Sequence, residues 1–206
     1  MAQAEKIIEL RQILSERFPE IPRTTRATLS TGIAEFDAAL NGGLWKGAIA
    51  ELTAPACSSG SASALRKILI AAAAENRWTA LIDGADSFVP PADLPRVLWV
   101  RCHNGGEAMR AADLLLRDGN LPLVLLDLRL NSVTELRKIP STSWYRFQRI
   151  VEQSGCAFLV VTRHSLVSSA AVKLVLQSRF SLDALEESEP RLEVHVARGL
   201  QQIVAN

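Results

Sequence analysis

Cysteine is scarce in this sequence. Three cysteines, Cys57, Cys102 and Cys156, occur among 206 residues. Their wide separation excludes the close pairs typical of zinc sites and of dithiol redox motifs. We expect all three to behave as small apolar side chains in a reducing compartment. The histidines at 103, 164 and 195 also lack metal-ligand spacing, so no metal is expected.

A strong net charge and a long apolar run are absent as well. The net charge is only +1, so no overall field attracts nucleic acid or an anionic membrane, and any DNA contact requires a local patch. No apolar run reaches the ~20 residues that a membrane-spanning helix needs. The first twenty residues carry the charged side chains Glu5, Lys6, Glu9, Arg11, Glu16 and Arg17. A secretory signal is therefore not expected there, and a cytoplasmic location is.

Strand and helix patterns alternate along the chain after residue 30. Apolar runs predict strands at 48–54, 79–83, 97–100, 121–128 and 156–161, the last four of them buried. Helical periodicity predicts helices over 61–76 and 142–154, and Asn104 with Glu107 resembles a capping box that opens a helix to about 118. Segments 174–182 and 191–198 predict a closing hairpin. The alternation indicates one α/β domain over 31–206, with a mainly parallel sheet between helices.

The first thirty residues form a separate segment. A helix is predicted over 3–18, with Ile7, Leu10, Leu14 and Phe18 on one stripe. Pro19 ends this helix, and residues 19–30 are predicted to form an extended basic linker. The stripe either caps the core of this domain or docks on another protein, and the sequence leaves both open.

The segment between the first strand and the first helix of the domain has the position of a phosphate-binding loop. Such a loop aims backbone N–H groups at phosphate, while a lysine neutralises phosphate and a hydroxyl holds magnesium. Aligning Gly60 with the second glycine of the motif places Pro55 at the first, Ser61 at the lysine and Ala62 at the hydroxyl. Loss of one preorganised donor costs about 100- to 1,000-fold in rate. Efficient ATP hydrolysis is therefore not expected, and residual nucleotide binding would use Ser58, Ser59, Gly60 and Ser61, together with Asp127 from a later strand.

Three acids follow the predicted strands. Asp127 ends the run LPLVLLDL, at the place of the acid that orients magnesium in phosphate-binding-loop proteins. Without a Ser or Thr partner it is interpreted as structural or vestigial. Asp83 and Asp86 lie where a water-activating acid belongs, or they shape the turn DGADSFVPP.

One helix combines aromatic rings with arginines. Trp144, Tyr145, Arg146 and Arg149 lie on the helix predicted over 142–154, and this combination suits stacking on bases and contact with phosphates. The same helix also has the spacing of a core stripe, formed by Trp144, Phe147 and Val151, with its arginines outward. The core stripe is the favoured interpretation.

Several segments resemble RecA-type recombinases. They are TGIAEFDAALNGGLWKGAIAEL (31–52), TALIDGADSFVP (79–90), LWVRCHNGGEAMRAADLLLRDGNLPLVLLDL (98–128) and VHVARGL (194–200). Within that group, the Gly-Gly-Leu-Trp-Lys-Gly arrangement at 42–47, LWVR (98–101) and WYRFQRIVEQSGCAFLVV (144–161) resemble the ImuA family, RecA-related proteins of bacterial mutagenesis cassettes. The resemblance covers about residues 30 to 200 and implies a RecA-like P-loop fold.

The resemblance also implies a function. Members of the ImuA family are implicated in SOS-induced, error-prone translesion synthesis and DNA repair beside an ImuB-like homologue of Y-family polymerases. Contacts with RecA, with an ImuB-like protein or with a second copy of the chain are therefore expected. Ala85 stands where the RecA pattern has an acid, which agrees with a pseudo-ATPase that uses no cofactor. Residues 162–173 correspond to a DNA-binding loop of RecA, so Arg163 and Lys173 are the candidate nucleic-acid contacts. A weak ATP-binding switch and a SulA-like inhibitor of cell division remain as alternatives.

Overall fold

The computed structural model describes residues 27–56, 59–90, 94–180 and 191–198. The helices are α1 (Ala34–Ala39), α2 (Ser61–Ala74), α3 (Gly105–Asp118), α4 (Val133–Leu136) and α5 (Ser141–Ser154). The strands are β1 (Thr28–Leu29), β2 (Leu44–Trp45), β3 (Ala48–Thr53), β4 (Thr79–Asp83), β5 (Val97–Arg101), β6 (Leu123–Asp127), β7 (Ala157–Thr162), β8 (Val172–Leu176) and β9 (Val194–Arg198). No helix in the described ranges is long and apolar enough to cross a membrane.

The central sheet contains β3 to β9 in the order β5-β4-β6-β7-β3-β8-β9. Neighbouring strands run parallel from β5 to β8, and only β8 and β9 pair antiparallel. The short strands β1 and β2 form a separate antiparallel ribbon. The predicted α/β class, with a mainly parallel sheet flanked by helices, is confirmed.

Apolar side chains cover both faces of the sheet. On one face, Leu65 and Leu69 of α2 pack with α1 against Leu81, Leu125 and Leu159 of the strands. On the other face, α3 and α5 lie side by side over the alternate strand residues, such as Ile82 and Val160. Burial on both faces explains why the inner strands appear in the sequence as unbroken apolar runs.

The strand over 97–100 was expected to be buried, and that expectation is wrong. Strand β5 pairs only with β4 and lies at the edge of the sheet. Its side chains are half-buried or exposed, and Leu98 is 44% exposed. A short apolar run has the same appearance in an edge strand as in a central one, so the pattern alone did not distinguish the two positions.

The capping box and the closing hairpin are present, with different bounds for the hairpin. The side chain of Asn104 accepts a hydrogen bond from the Glu107 N–H (2.9 Å) and opens α3. Strand β8 ends at Leu176 rather than near 182. Beyond it, the Gln177 N–H donates to the Glu193 carbonyl (2.9 Å), and the Ser178 hydroxyl accepts from the Glu193 N–H (2.8 Å) in place of a backbone carbonyl. Residues 181–190, between the two strands of the hairpin, lie outside the described residues.

The end of the predicted linker belongs to the fold. Thr28 and Leu29 form β1, and Leu29 is buried in the core. Gly43 has φ +120°, and a Cβ atom there would overlap the Leu29 backbone, so only glycine permits this close approach. The predicted helix over 3–18, with its apolar stripe, lies outside the described residues.

Candidate functional site

The connections of the sheet diverge around β3. The chain leaves β3 through α2 for β4 on one side, whereas the chain from β7 enters β8 on the other side. In open α/β sheets, ligands bind outside the carboxyl ends of the strands at such a point. The loop after β3 and the loops after β4, β6, β7 and β8 all lie at this edge. The candidate site is therefore where the sequence placed the phosphate-binding loop.

The loop after β3 leads directly into α2. Gly60 precedes the helix with a left-handed backbone (φ +80°), and no side chain caps the helix. Ser61 is buried as the first helical residue, whereas Ala62 faces solvent and Pro55 is exposed. Ser58 lies outside the described residues. The start of α2 thus has serine at the lysine position of the motif and alanine at its hydroxyl position.

An arginine from the loop after β6 occupies the space beside α2. The Arg129 guanidinium forms two hydrogen bonds with the Asp127 carboxylate, Nε to Oδ1 at 2.9 Å and Nη2 to Oδ2 at 2.6 Å. Its third nitrogen, Nη1, donates to the hydroxyl of Ser61. The Asp127 side chain is 2% exposed and that of Arg129 is 15% exposed. The guanidinium therefore connects Ser61, at the lysine position of the motif, to Asp127, at the position of the acid that orients magnesium.

Two apolar side chains cover the loop from the hairpin side. A Cβ atom on Gly60 would overlap the Phe180 ring and would lie 2.6 Å from a Leu192 methyl group. Leu192 is buried and Phe180 half-buried. The space into which a side chain at Gly60 would extend is therefore filled by hydrocarbon. Beside it, the Ser59 hydroxyl is buried without a hydrogen-bond partner among the described residues.

The acids after β4 are engaged in local structure. The Asp83 carboxylate accepts from the N–H groups of Ser87 (3.0 Å) and Phe88 (2.7 Å), which closes the turn. Asp86 pairs with Arg101 across the surface, Oδ2 to Nη2 at 2.7 Å, and this hydrogen bond lowers the pKa of the Asp86 carboxyl. Of the two interpretations of these acids, the contacts favour shaping of the turn.

Sequence analysis missed Glu51, a fully buried carboxylate on β3. It accepts hydrogen bonds from the backbone N–H groups of Leu166 and Val167, the latter at 3.0 Å, and from the Ser165 hydroxyl at 3.2 Å. The Lys173 ammonium lies 2.7 Å from its Oε2 atom. The signal in the sequence is one acid inside the apolar strand AIAELTA. Glu51 fixes the loop after β7 to the sheet.

The two candidate nucleic-acid residues differ in their surroundings. The Lys173 ammonium is committed to Glu51 and also donates to the Ser165 hydroxyl (2.7 Å). It therefore does not extend toward solvent. Arg163 is half-buried and borders a cavity of about 200 Å³ at the ends of β6 and β7, together with His164. The structure does not bring the two cations into one outward-facing patch.

Helix α5 presents its apolar stripe to the core. Trp144, Phe147 and Val151 are buried against the sheet. Tyr145 and Arg146 face solvent, and Arg146 pairs with Asp113 of α3 (3.2 Å). The interpretation of this stripe as core is confirmed.

The described cysteines are buried thiols. Burial raises the pKa of Cys156 to about 12 and also raises that of Cys102. Both are protonated at neutral pH and therefore poor nucleophiles. Among the described residues, no group of three His, Cys, Asp or Glu side chains could hold a metal ion.

Comparison with known proteins adds no family. No protein-family model matches this chain, and no curated protein matches it either. The function must therefore be argued from the site and from the segments that resemble RecA-type proteins.

Proposed function

We propose that this chain is a non-catalytic accessory protein with a RecA-like P-loop fold. It acts in the cytoplasm in SOS-induced, error-prone translesion DNA synthesis and DNA repair, through contacts with RecA or an ImuB-like polymerase homologue. The observation that carries the proposal is the position of Arg129, between Asp127 and Ser61. Any contact of this chain with DNA is weak or indirect.

The contacts of Arg129 support the proposed lack of catalysis. ATP hydrolysis in P-loop proteins depends on a lysine and a magnesium ion that stabilise charge on the phosphates. Here a cation from the chain itself neutralises Asp127, the acid available for magnesium. Phe180 and Leu192 cover the backbone at Gly60. The sheet of this domain is intact, but its own side chains occupy the positions where a P-loop protein holds phosphate and magnesium. Such a domain is suited to binding other proteins rather than to hydrolysing ATP.

The test of the proposed role is a gene deletion in the source cell. Deletion is expected to lower the frequency of damage-induced mutations, with restoration by the intact gene. An unchanged mutation frequency would contradict the translesion role. Filamentation on overproduction, with unchanged mutation, would instead support the SulA-like alternative, in which the chain binds a tubulin-like protein.

A weak ATP-binding switch is the second candidate, and one observation favours it. The buried Ser59 hydroxyl lacks a partner among the described residues, next to the uncapped start of α2. Helix starts attract anions, because their N–H groups and dipole face the ligand. The rate of ATP hydrolysis and the melting temperature in the presence of Mg-ATP distinguish this candidate from the first.

ATP hydrolysis is expected to remain at background. Ser61 replaces the lysine and Ala62 the magnesium hydroxyl, and loss of one such group alone costs about 100- to 1,000-fold in rate. Phosphate release by the purified chain measures this directly. ATP hydrolysis that copurifies with the protein and disappears in the Asp127→Asn variant would contradict the expected background rate.

Millimolar Mg-ATP is expected to leave the melting temperature unchanged. A ligand at 100 times its Kd would add about 2.7 kcal/mol, and each kcal/mol raises Tm by about 2–4 °C in a domain of this size. Phe180→Ala serves as the companion variant, because it removes the ring over Gly60. We expect no shift in either protein, since the lysine is missing in both. A saturable shift in the unmodified chain would support the switch instead.

The N-terminal stripe is expected to be a partner anchor. Ile7, Leu10, Leu14 and Phe18 place one large apolar side chain on each helical turn, as in helix-in-groove recognition. Truncating a buried anchor costs about 2 kcal/mol or more. We therefore expect Leu14→Asp or Phe18→Asp to weaken binding to RecA, or to the ImuB-like protein, by about 30-fold or more. Titration calorimetry or anisotropy with the purified partners measures the loss.

A melt of the same variants separates the two interpretations of the stripe. Cooperative unfolding at the unmodified Tm, together with lost binding, identifies an anchor. If Leu14→Asp instead unfolds the domain, the stripe belongs to the core. If neither property changes, the helix is not an anchor.

A further inference from the structure

Strand β5 has one edge that no other strand of the described residues covers. It is the outermost strand of the sheet and pairs only with β4. Proteins usually protect such an edge with proline, lysine or a bulge. The sequence of β5 is VLWVR, and its register with β4 is regular throughout. The charge of Arg101 is neutralised by Asp86 of the same chain, Nη2 to Oδ2 at 2.7 Å. The edge is therefore suited to pairing with another strand.

The backbone of β5 presents outward-facing hydrogen-bonding groups at alternate residues. At the start of the ladder with β4, the Thr79 N–H donates to the Arg96 carbonyl (2.9 Å). At its end, the Cys102 N–H donates to the Asp83 carbonyl (2.9 Å). The even-numbered residues of β5 therefore bond to β4, because consecutive residues of a strand direct their N–H and C=O groups to opposite edges. The residues whose groups point away from the sheet are Val97, Trp99 and Arg101.

The side chains of β5 add apolar surface to the same edge. Leu98 is 44% exposed, and Val100 on the same face of the sheet is half-buried. On the other face, Trp99 is half-buried, and its ring meets that of Phe88 edge-on with 6.0 Å between the centroids. An exposed edge with aliphatic and aromatic side chains is a site where another strand can add to a sheet.

We propose that β5 of one copy of this chain pairs antiparallel with β5 of a second copy, about a two-fold axis at Trp99. In this register the outward N–H and C=O groups of the two Trp99 residues bond to each other. Those of Val97 bond to those of Arg101 in the other copy, so all three outward-facing residues of each strand are satisfied. The central sheet then continues from one copy into the next. The inference goes beyond the proposed function and does not depend on the translesion role.

The sequence of β5 is complementary to itself in this register. Leu98 lies opposite Val100 of the second copy, so aliphatic surface meets aliphatic surface. The two Trp99 side chains lie directly opposite each other, and aromatic cross-strand pairs stabilise sheets. Arg101 lies opposite Val97, so no like charges meet across the strands. A two-fold contact closes with two copies, which is the commonest form of protein oligomer. These matches favour a second copy over a strand of another protein.

The first test is sedimentation velocity of the full chain over a range of concentrations, where we expect an equilibrium between monomer and dimer. Arg101→Pro removes one outward N–H from each copy, and proline is tolerated in an edge strand where its nitrogen faces away from the sheet. The dimer then loses two hydrogen bonds, so its Kd should rise by about 10-fold or more. Arg101→Met is the matched control, because it loses the same charge but keeps the N–H. Its Kd should be unchanged.

Leu98→Lys tests the contribution of the side chains. It places an ammonium group opposite Val100 at two symmetric positions, and it should prevent dimerisation. Ile70→Lys is the control, because Ile70 on α2 is exposed to a similar extent, 42%. This control should dimerise like the unmodified chain. A melt of each variant verifies its folding.

The second test is amide hydrogen exchange by NMR at low and high protein concentration. The amides of Val97, Trp99 and Arg101 should gain protection as the concentration rises. Those of Leu98 and Val100, which bond to β4, should be protected at both concentrations. Protection of the odd-numbered amides at every concentration would overturn the proposal, because a segment of the same chain would then cover the edge. A chain that stays monomeric, a species larger than a dimer, or a dimer that leaves these amides unprotected would overturn it as well.

Discussion

Arg129→Met is expected to lower the free energy of unfolding by about 3 kcal/mol or more, because removing one partner of a buried ion pair leaves the other charge unpaired. Asp127 is almost completely buried, and both of its carboxylate oxygens accept from the guanidinium. Methionine preserves most of the aliphatic volume of the side chain, so the loss reports the charge rather than a cavity. Urea denaturation followed by circular dichroism measures it.

Arg101→Met is the matched control. Its guanidinium also forms two hydrogen bonds with a carboxylate, that of Asp86, but the arginine side chain is 60% exposed. Water screens the charges of such an exposed pair, so it contributes little to stability, and this variant should remain close to the unmodified chain. Equal losses in the two variants would contradict the assignment of Arg129 to a buried pair.

Removing both charges should recover most of the loss. Buried ion pairs replaced by apolar residues are often neutral in stability, because the desolvation cost disappears with the attraction. We therefore expect Asp127→Leu/Arg129→Met to be more stable than Arg129→Met alone. If the double variant is less stable than either single variant, the pair contributes through its shape and hydrogen bonds and not mainly through charge.

The sequence predicted the site through its strands, because parallel strands align their carboxyl ends. The buried runs end at Thr53, Asp83 and Asp127, and these ends lie together at one edge of the parallel sheet. The loop at Gly60 comes directly after the first of these strands, so it lies at the same edge. Periodicity also predicted α2 and α5, and the capping box predicted α3, each within a few residues of the observed bounds. These predictions depend on local pattern, which one sequence contains in full.

Arg129 and Glu51 could not be placed from local pattern. Arg129 is two residues beyond Asp127, but its contact with Ser61 joins positions 68 residues apart in the chain. Glu51 receives its hydrogen bonds from residues more than 110 positions away. A side chain at the end of a strand can face solvent or a neighbouring loop, and only the folded arrangement decides which. The burial of β5 was wrongly expected because a short apolar run does not show whether its strand lies at the centre or at the edge of the sheet.

Glu51 is a second buried charge on which the same edge of the sheet depends. Its carboxylate accepts from the Leu166 and Val167 N–H groups, and its Oε2 lies 2.7 Å from the Lys173 ammonium. Lys173 itself is only 15% exposed. A neutral side chain at position 51 would leave that ammonium without its counter-charge. A buried polar group without a partner costs about 1–3 kcal/mol, and more for a charged group.

Glu51→Gln is therefore expected to lower the free energy of unfolding by about 3 kcal/mol, the lower end for breaking a buried pair. The amide of glutamine also offers one acceptor oxygen in place of two, so it cannot satisfy both the lysine and the loop. Hydrogen exchange should show the Leu166 and Val167 amides losing protection before the amides of β3. Glu152→Gln, an exposed carboxylate on α5, is the control and should change stability by less than about 0.5 kcal/mol. Unchanged protection at Leu166 in Glu51→Gln would mean that β7 and β8 hold the loop without the carboxylate.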